Sequence, residues 1–172
     1  MLYSIKLGDT VNIFILDLDQ KKCAEYHNNR HCVKMIIEAT QLCNTALILN
    51  NKNYDPLWKI AYPKHPCAIW TAKSKSNFEW LNTLGLELCR EYTYRYGKKH
   101  KCEEMLLFFQ SSDYKNAIPD IGETSFALAM PEKYRSDDAV SSYRLYYKNE
   151  KQHLAQWKNR PIPDWWERMP II

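Results

Sequence analysis

The sequence HNNRHCVKMIIEATQLCNT, residues 27–45, decides the fold. Its polar residues recur at intervals of three and four: His27, His31, Lys34, Glu38, Gln41 and Thr45. In an α-helix these intervals place side chains on one face, so we predict a helix with a continuous polar stripe. The other side of the segment has apolar residues at helical spacing, including Val33, Ile36, Ile37 and Leu47. A buried face opposite this stripe indicates a cleft; an ordinary solvated face is the alternative.

Histidine favours the functional interpretation of the stripe, because its ordinary pKa lies near neutrality. One imidazole could take a proton from a nucleophile while another protonates the leaving oxygen of a phosphodiester. The predicted catalytic residues are His31, paired with His65 or His27, and Glu38, which would orient a ring or set its pKa. Lys34 or Arg95 would stabilise the charge that develops.

Two asparagines before the stripe predict where the helix begins. Asn28 and Asn29 are residues that cap helix N-termini, and this start places His31 in the first turn. The free N–H groups and the dipole of a first turn favour an anion. We therefore expect a phosphate against His31 and Lys34.

Basic and aromatic residues are interleaved in two further segments, residues 92–101 and 143–151. The chain has a net charge of +4 and 12 tyrosines. Cations meet phosphates and flat rings stack on bases, so this mixture favours a nucleotide or nucleic-acid ligand. The predicted ligand-binding residues are Lys34, Gln41, Tyr92, Arg95 and Lys98. Half-buried core tyrosines with wet hydroxyls are the alternative interpretation.

Composition limits the class of protein. The 172 residues are expected to form a single domain, residues 1–172, that needs neither disulfides nor a metal to fold. Only 4 glycines argue against a Gly-rich phosphate loop. The 6 cysteines form no Cys-x-x-Cys pair, and we expect free thiols in a reducing cytoplasm, with no metal and no cofactor. We recognise no signal peptide and expect no membrane span.

The remaining chain predicts a mainly α-helical fold with long loops. A capping-box pattern at residues 76–79 and Gly97 predict a helix over Asn77–Tyr96. Ser136, Asp137 and Asp138 offer a cap for a helix over Ala139–Trp157. Residues 50–66 and 111–124 are predicted loops, and residues 11–18 are either a strand or the start of a helix. Prolines exclude regular structure from the C-terminal tail, whose Trp165 and Trp166 should dock on the body.

Several segments resemble a widespread family of small tailed-phage proteins. They are residues 31–42, 65–70, 91–98 and 130–131. The resemblance implies a viral origin and a location in the cytoplasm of an infected bacterium. Members of that family begin near Asn12, so residues 1–11 are either an N-terminal extension or the result of a misread start codon at Val11.

A second resemblance is to the phage pyrimidine-dimer DNA glycosylases, which are small and mainly α-helical. The segment DQKKCAEY, residues 19–26, matches that family's element in spacing, and residues 78–81 and 130–137 are similar in the same order. This resemblance implies a compact helical fold.

The resemblance also implies where the glycosylase site would lie. The family's essential carboxylate falls on Asn28, and two flanking basic residues fall on His27 and His31. The family's nucleophile is an N-terminal α-amine exposed by removal of Met ahead of a small residue. Here Leu2 is large, so Met1 is expected to remain.

Three functions follow from these observations. The first is metal-independent cleavage of a phosphodiester in DNA, in RNA or in a cyclic nucleotide that serves as an immune signal, which would be a means of evading host defence. The second is a nucleotide- or nucleic-acid-binding protein without turnover. The third is DNA glycosylase or AP lyase chemistry. A homodimer is compatible with each of them.

Overall fold

The computed structural model describes residues 11–172, and this part of the chain contains α-helices but no β-strand. The helices are α1 (Gln20–Tyr26), α2 (Asn29–Asn50), α3 (Pro66–Lys73), α4 (Lys75–Tyr96), α5 (Glu103–Ser111) and α6 (Ala139–Glu150). Three short 3₁₀ segments, Asp113–Ala117, Glu132–Tyr134 and Gln152–Leu154, interrupt the loops. The predicted mainly α-helical fold is confirmed.

The two longest helices, α2 and α4, pack against each other at the centre of the fold. Helix α3 also packs on α2 and α4, while α1 and α5 pack on α4. Gly85 lies on α4 where a Cβ would come within 3.0 Å of the Leu106 side chain and 3.4 Å of the Ala39 Cβ. Glycine therefore lets α4 approach both α2 and α5 closely.

Most of the predicted polar stripe of α2 is buried rather than open. Residues 11–16 form neither a strand nor a helix, and they pack over it as an irregular buried segment. The Asn12 N–H donates to Glu38 Oε2 at 2.8 Å, and the Phe14 ring stacks on His31. Further along, the Thr45 hydroxyl donates to the Ala61 carbonyl at 2.8 Å. The predicted cleft along this stripe is wrong, because other parts of the chain cover it; a solvated face is wrong for the same reason.

Helix boundaries follow the predicted caps in part. Helix α4 ends at Tyr96 as predicted, and Gly97 follows with φ 63°. The helix begins at Lys75, earlier than the capping-box pattern predicted. Helix α6 has the predicted cap at Asp138 but ends at Glu150, well before Trp157. Helices α1 and α5 were not predicted.

The C-terminal tail docks through its tryptophans. Trp165 and Trp166 are buried, and the Trp157 indole N–H donates to the Tyr26 carbonyl at 2.8 Å. The predicted docked aromatic tail is confirmed. The predicted extension, residues 1–11, lies outside the described residues except for Val11, and so do Met1 and Leu2.

Among residues 11–172, α2 is the one helix long and apolar enough to cross a membrane by length and composition. Of its most apolar 18-residue window, 67% is buried inside the protein. A buried core helix and a signal sequence near the N-terminus both pass this test, so α2 is weak evidence of a membrane span.

Candidate nucleic-acid interface

The corner between α1 and α2 is held by capping contacts. His27 ends α1, and its Nδ1 lies 2.7 Å from the Cys23 carbonyl oxygen. Asn28 is the N-cap of α2, as predicted, and its Oδ1 accepts from the His31 N–H at 2.9 Å. The Asn28 N–H donates to the Tyr147 hydroxyl at 3.0 Å. The corner is therefore a packed structural junction between α1, α2 and α6.

Three polar side-chain atoms in this corner are buried without a hydrogen-bond partner: His27 Nε2, Asn28 Nδ2 and His31 Nδ1. Burial lowers the pKa of His27 to about 4. Burial, reinforced by the charge of a protonated His27, lowers the pKa of His31 to about 2. Both imidazoles are consequently neutral near pH 7, and neither can supply a proton as an imidazolium. The geometry therefore argues against the predicted acid and base roles of this pair.

The other predicted catalytic residues are also used by the protein itself. His65 caps α3, and its Nδ1 accepts from the Cys67 N–H at 3.1 Å. Glu38 accepts from the Asn12 N–H and pairs with Lys34 Nζ at 3.4 Å. Within the described chain, no hydrogen bond or ring contact joins His65 to either of the other two histidines. The structure thus brings His27 and His31 together in one corner but places His65 at the cap of another helix.

The structure places Arg95 in the interior rather than at a ligand site. Its guanidinium donates to Glu91 Oε1 at 2.7 Å, to Asn29 Oδ1 at 3.2 Å and to the Glu25 carbonyl at 3.0 Å. Arg160, from the tail, pairs with the same Glu91 carboxylate at 2.9 Å. The pairing of Glu91 with Arg95 is therefore buried. Arg95 ties α4 to the α1–α2 corner and is not available to a phosphate.

An open cavity of about 840 Å³ lies beside this corner, between α2, α4 and the tail. We call it the α2–α4 groove. Its lining residues are Asn29, Arg30, Val33, Lys34, Ile37, Tyr92, Tyr96, Lys98 and Lys158. Three predicted ligand-binding residues therefore come together here, namely Lys34, Tyr92 and Lys98. Gln41 does not line the groove.

The groove is basic, with no acidic residue among its lining. Lys34 pairs with Glu38, whereas Arg30, Lys98 and Lys158 form no ion pair with a carboxylate in the region that the structure covers. Cations that are not neutralised around one concave surface attract anions.

Two tyrosines one turn apart on α4 form the aromatic part of the groove. The rings of Tyr92 and Tyr96 have centroids 5.2 Å apart. Lys158 Nζ lies 5.2 Å from the Tyr96 ring centroid, and the Lys158 N–H donates to Asn29 Oδ1 at 2.7 Å. The tail is thereby fixed as one wall of the groove. His100 is buried, with its ring against Tyr92.

The N-terminus of α2 does not hold a phosphate in the predicted way. The Asn29 N–H donates to the Gln156 carbonyl at 2.8 Å, and the His31 N–H is bonded by the Asn28 side chain. The predicted anion position against His31 is wrong, because protein groups already occupy these first-turn donors. The adjacent groove presents side-chain cations instead.

Sequence reasoning missed Arg30, Tyr96 and Lys158 as lining residues. Arg30 lies one turn before Lys34, and Tyr96 belongs to the basic and aromatic segment 92–101. Local sequence could therefore have identified both as lining residues. Lys158 had no such signal, because only the docking of the tail brings it to α2 and α4. No group of three or more His, Cys, Asp and Glu side chains suited to a metal ion is found among the described residues.

No curated protein and no solved structure matches the chain. The pyrimidine dimer DNA glycosylase family matches residues 11–104, more than half of the chain. The match contains α1 to α4 and every groove residue except Lys158. The chain belongs to the pyrimidine dimer DNA glycosylase family.

Proposed function

We propose that this protein binds a nucleic-acid strand or a nucleotide in the α2–α4 groove, and that binding rather than phosphodiester cleavage is its principal activity. The observation that carries the proposal is the set of cations around one tyrosine-lined cavity: Arg30, Lys98 and Lys158, with no acidic neighbour in the lining. Membership of a DNA glycosylase family supports a nucleic-acid ligand.

The physical argument combines charge and stacking. Phosphate neutralisation by Lys and Arg supplies most of the sequence-independent affinity for nucleic acid. Stacking of a base on an aromatic ring adds about 1–3 kcal/mol and tolerates any base. The groove offers both, since Tyr92 and Tyr96 line the same cavity as the cations. Its ligand is therefore expected to be an anion with flat rings.

Histidine-centred cleavage of a phosphodiester is a weaker proposal. General acid–base catalysis is most efficient when the catalytic pKa lies near the working pH. The pKa values of His27 and His31 are far below neutrality, and His65 is a helix cap. A bound strand or cyclic nucleotide is consequently expected to remain intact.

Family membership makes DNA glycosylase or AP lyase chemistry the second candidate. The sequence resemblance places the family's essential carboxylate on Asn28, and an amide cannot take a proton in its place. The Asn28 side chain is committed to capping α2. Incubation with ultraviolet-damaged duplex and borohydride tests this candidate, because imine chemistry would leave a covalent protein–DNA adduct. We expect no adduct.

The proposed setting is the cytoplasm of a bacterium infected by a phage, in keeping with the resemblance to small tailed-phage proteins. A binding protein there would sequester a strand end or a cyclic nucleotide that acts as an immune signal. Sequestration needs affinity and no turnover, which agrees with the chemistry of the groove.

The experiment follows binding and products in one sample. Purified protein is titrated into labelled single strands, labelled duplex and cyclic dinucleotides at several salt concentrations, and each mixture is then separated by chromatography. We expect saturable binding that weakens steeply with salt and no new product. Cleavage of any ligand at a rate proportional to protein would overturn the claim of binding without turnover, and the absence of binding would overturn the proposal.

A further inference from the structure

We infer that the α2–α4 groove takes the end of a nucleic-acid strand, with a terminal phosphate where α2, α4 and the tail meet and the adjoining base on the tyrosines. This assignment rests on the proposed function and names the ligand class of the same site. It selects a phosphorylated strand end over a cyclic nucleotide, because a cyclic nucleotide has no terminal phosphate.

Protein closes the groove at the end where α2 begins. The Asn29 side chain accepts from the Arg95 guanidinium of α4 at 3.2 Å and from the Lys158 N–H of the tail at 2.7 Å. The tail then passes on to α4, where the Tyr94 hydroxyl donates to the Asn159 carbonyl at 3.1 Å. The start of α2, the end of α4 and the tail are therefore in contact, and a strand that lies in the groove cannot continue through this junction.

Basic side chains from all three elements gather at the closed end. Arg30 follows Asn29 in the first turn of α2, and Lys98 lies just beyond Tyr96, the last residue of α4. Lys158 Nζ lies 5.2 Å from the Tyr96 ring centroid. All three cations line the groove and are exposed. The positive charge of the groove is therefore concentrated where its walls meet.

The rest of the groove is mainly apolar and aromatic. Val33 and Ile37 line it on α2, and Tyr92 lines it on α4. The remaining basic residue of the lining, Lys34, pairs with Glu38 at 3.4 Å. A nucleotide whose phosphate is held at the closed end therefore places its base against rings and apolar side chains. The groove thus has a direction, with the phosphate at the junction and the strand leaving at the other end.

The charge at the closed end suits a phosphate monoester better than a phosphodiester. A diester within a strand has a single negative charge, whereas a terminal monoester has a charge of about −1.5 to −2 at pH 7 and more acceptor oxygens. Cations that come from three directions can each donate to a different oxygen. An internal diester would also need the strand to leave on both sides, and the contacts of Asn29 block one of them.

Competition measured by fluorescence anisotropy with the full chain tests the inference. The probe is a short thymidine strand labelled at an internal base. The competitors are the same strand with a 5′-phosphate, with a 3′-phosphate, with hydroxyl groups at both ends, or closed into a circle, and cyclic di-adenosine monophosphate. A hydroxyl-ended strand lengthened to the same net charge is the control for charge. We expect one phosphorylated strand to bind at least about tenfold more tightly than every other competitor that lacks a terminal phosphate.

Each outcome of the competition has a distinct meaning. The difference between the two phosphorylated strands identifies which end of the strand the groove takes. Equal binding of the circle or of the charge-matched strand overturns the inference and leaves the proposed function intact, and so does tighter binding of the cyclic dinucleotide. If none of the strands or nucleotides binds, the proposed function fails as well.

A pair of variants locates the terminal phosphate at the closed end. Lys98→Gln removes one of its cations and leaves the apolar walls unchanged. Lys73→Gln is the matched control, because Lys73 is exposed on α3 outside the groove. We expect the ratio of affinities for the phosphorylated and hydroxyl-ended strands to fall at least about threefold in Lys98→Gln and to stay unchanged in the control. An unchanged ratio in a folded Lys98→Gln would overturn the inference, since a general loss of charge or stability would weaken both strands alike.

Discussion

The imidazole of His31 lies stacked on the ring of Phe14, with centroids 4.6 Å apart and planes inclined by 18°. The edge of the Tyr147 ring packs against the same imidazole at 5.2 Å. His31 is thus part of an aromatic core that joins the N-terminal segment to α2 and α6. We therefore expect His31 to contribute to stability rather than to proton transfer.

His31→Ala tests this assignment. Removal of a buried aromatic side chain leaves a cavity, so we expect the free energy of unfolding to fall by about 2 kcal/mol. Urea denaturation measures the change. His153→Ala is the control, because His153 is exposed and should change stability by less than about 0.5 kcal/mol. An unchanged stability of His31→Ala would place the imidazole outside the core.

The pH dependence of stability follows from the lowered pKa values of His27 and His31. Each imidazole binds a proton more readily in the unfolded chain, where its pKa is about 6.5, than in the folded protein, where it is about 4 for His27 and about 2 for His31. The part of the free energy of unfolding that depends on these neutral imidazoles is therefore fully present above about pH 6.5 and is lost as the pH falls below it. As the pH falls, each histidine lowers the free energy of unfolding by up to about 1.4 kcal/mol per pH unit, until the pH reaches the pKa of that histidine in the folded protein.

Denaturant titrations between pH 7 and about pH 4 measure this slope. His27→Gln should reduce the slope of the free energy of unfolding against pH by the equivalent of up to about one bound proton, because glutamine does not titrate. A slope that is the same in the variant and the parent would show that His27 is solvated in the folded state.

Because the guanidinium of Arg95 is buried, we expect Arg95→Ala to lower the free energy of unfolding far more than Arg90→Ala on the same helix. Arg95→Ala leaves Glu91 with one cationic partner and removes the bonds to Asn29 and Glu25, so we expect a loss of about 3 kcal/mol. Arg90→Ala removes only an exposed ion pair with Glu87 and should cost less than about 1 kcal/mol. Thermal and urea denaturation compare them. Similar losses for the two variants would contradict the buried network.

Two variants in the tail, at Trp157 and Lys158, should affect stability and ligand affinity differently. Trp157→Ala removes the indole that holds the tail on the Tyr26 carbonyl, so stability and ligand affinity should both fall. Lys158→Ala removes one exposed cation from the groove and should lower affinity about fivefold with little change in melting temperature. Strand titration and thermal melting of each variant give the two quantities. If both variants kept their affinity for the strand, the tail would not be part of the binding groove.

Much of the fold could be predicted from local sequence. Asn28, Asp138 and Gly97 marked helix ends because a cap depends on a few neighbouring residues. The start of α4 was missed because Ser74 bonds to the Gly122 carbonyl across the chain. Contacts of that kind have no local signature.

The candidate site was predicted only in part, because periodicity shows which residues share a face but not what covers it. The stripe containing His31 and Glu38 and the neighbouring face containing Val33 and Ile37 both have helical spacing. The segment 11–16 covers the first and leaves the second open. The cleft was therefore assigned to the wrong face of the right helix, although Lys34 lies at the border of both.

Two double variants of equal net charge test whether the α2–α4 groove binds the strand. Arg30→Glu with Lys98→Glu reverses two cations of the groove, and Lys52→Glu with Lys59→Glu reverses two exposed lysines outside its lining. Fluorescence anisotropy with a labelled single strand measures the affinity of each. We predict a loss of at least about tenfold for the groove pair and less than about threefold for the control pair. Equal losses would show that the strand responds to net charge alone and would contradict binding in the α2–α4 groove.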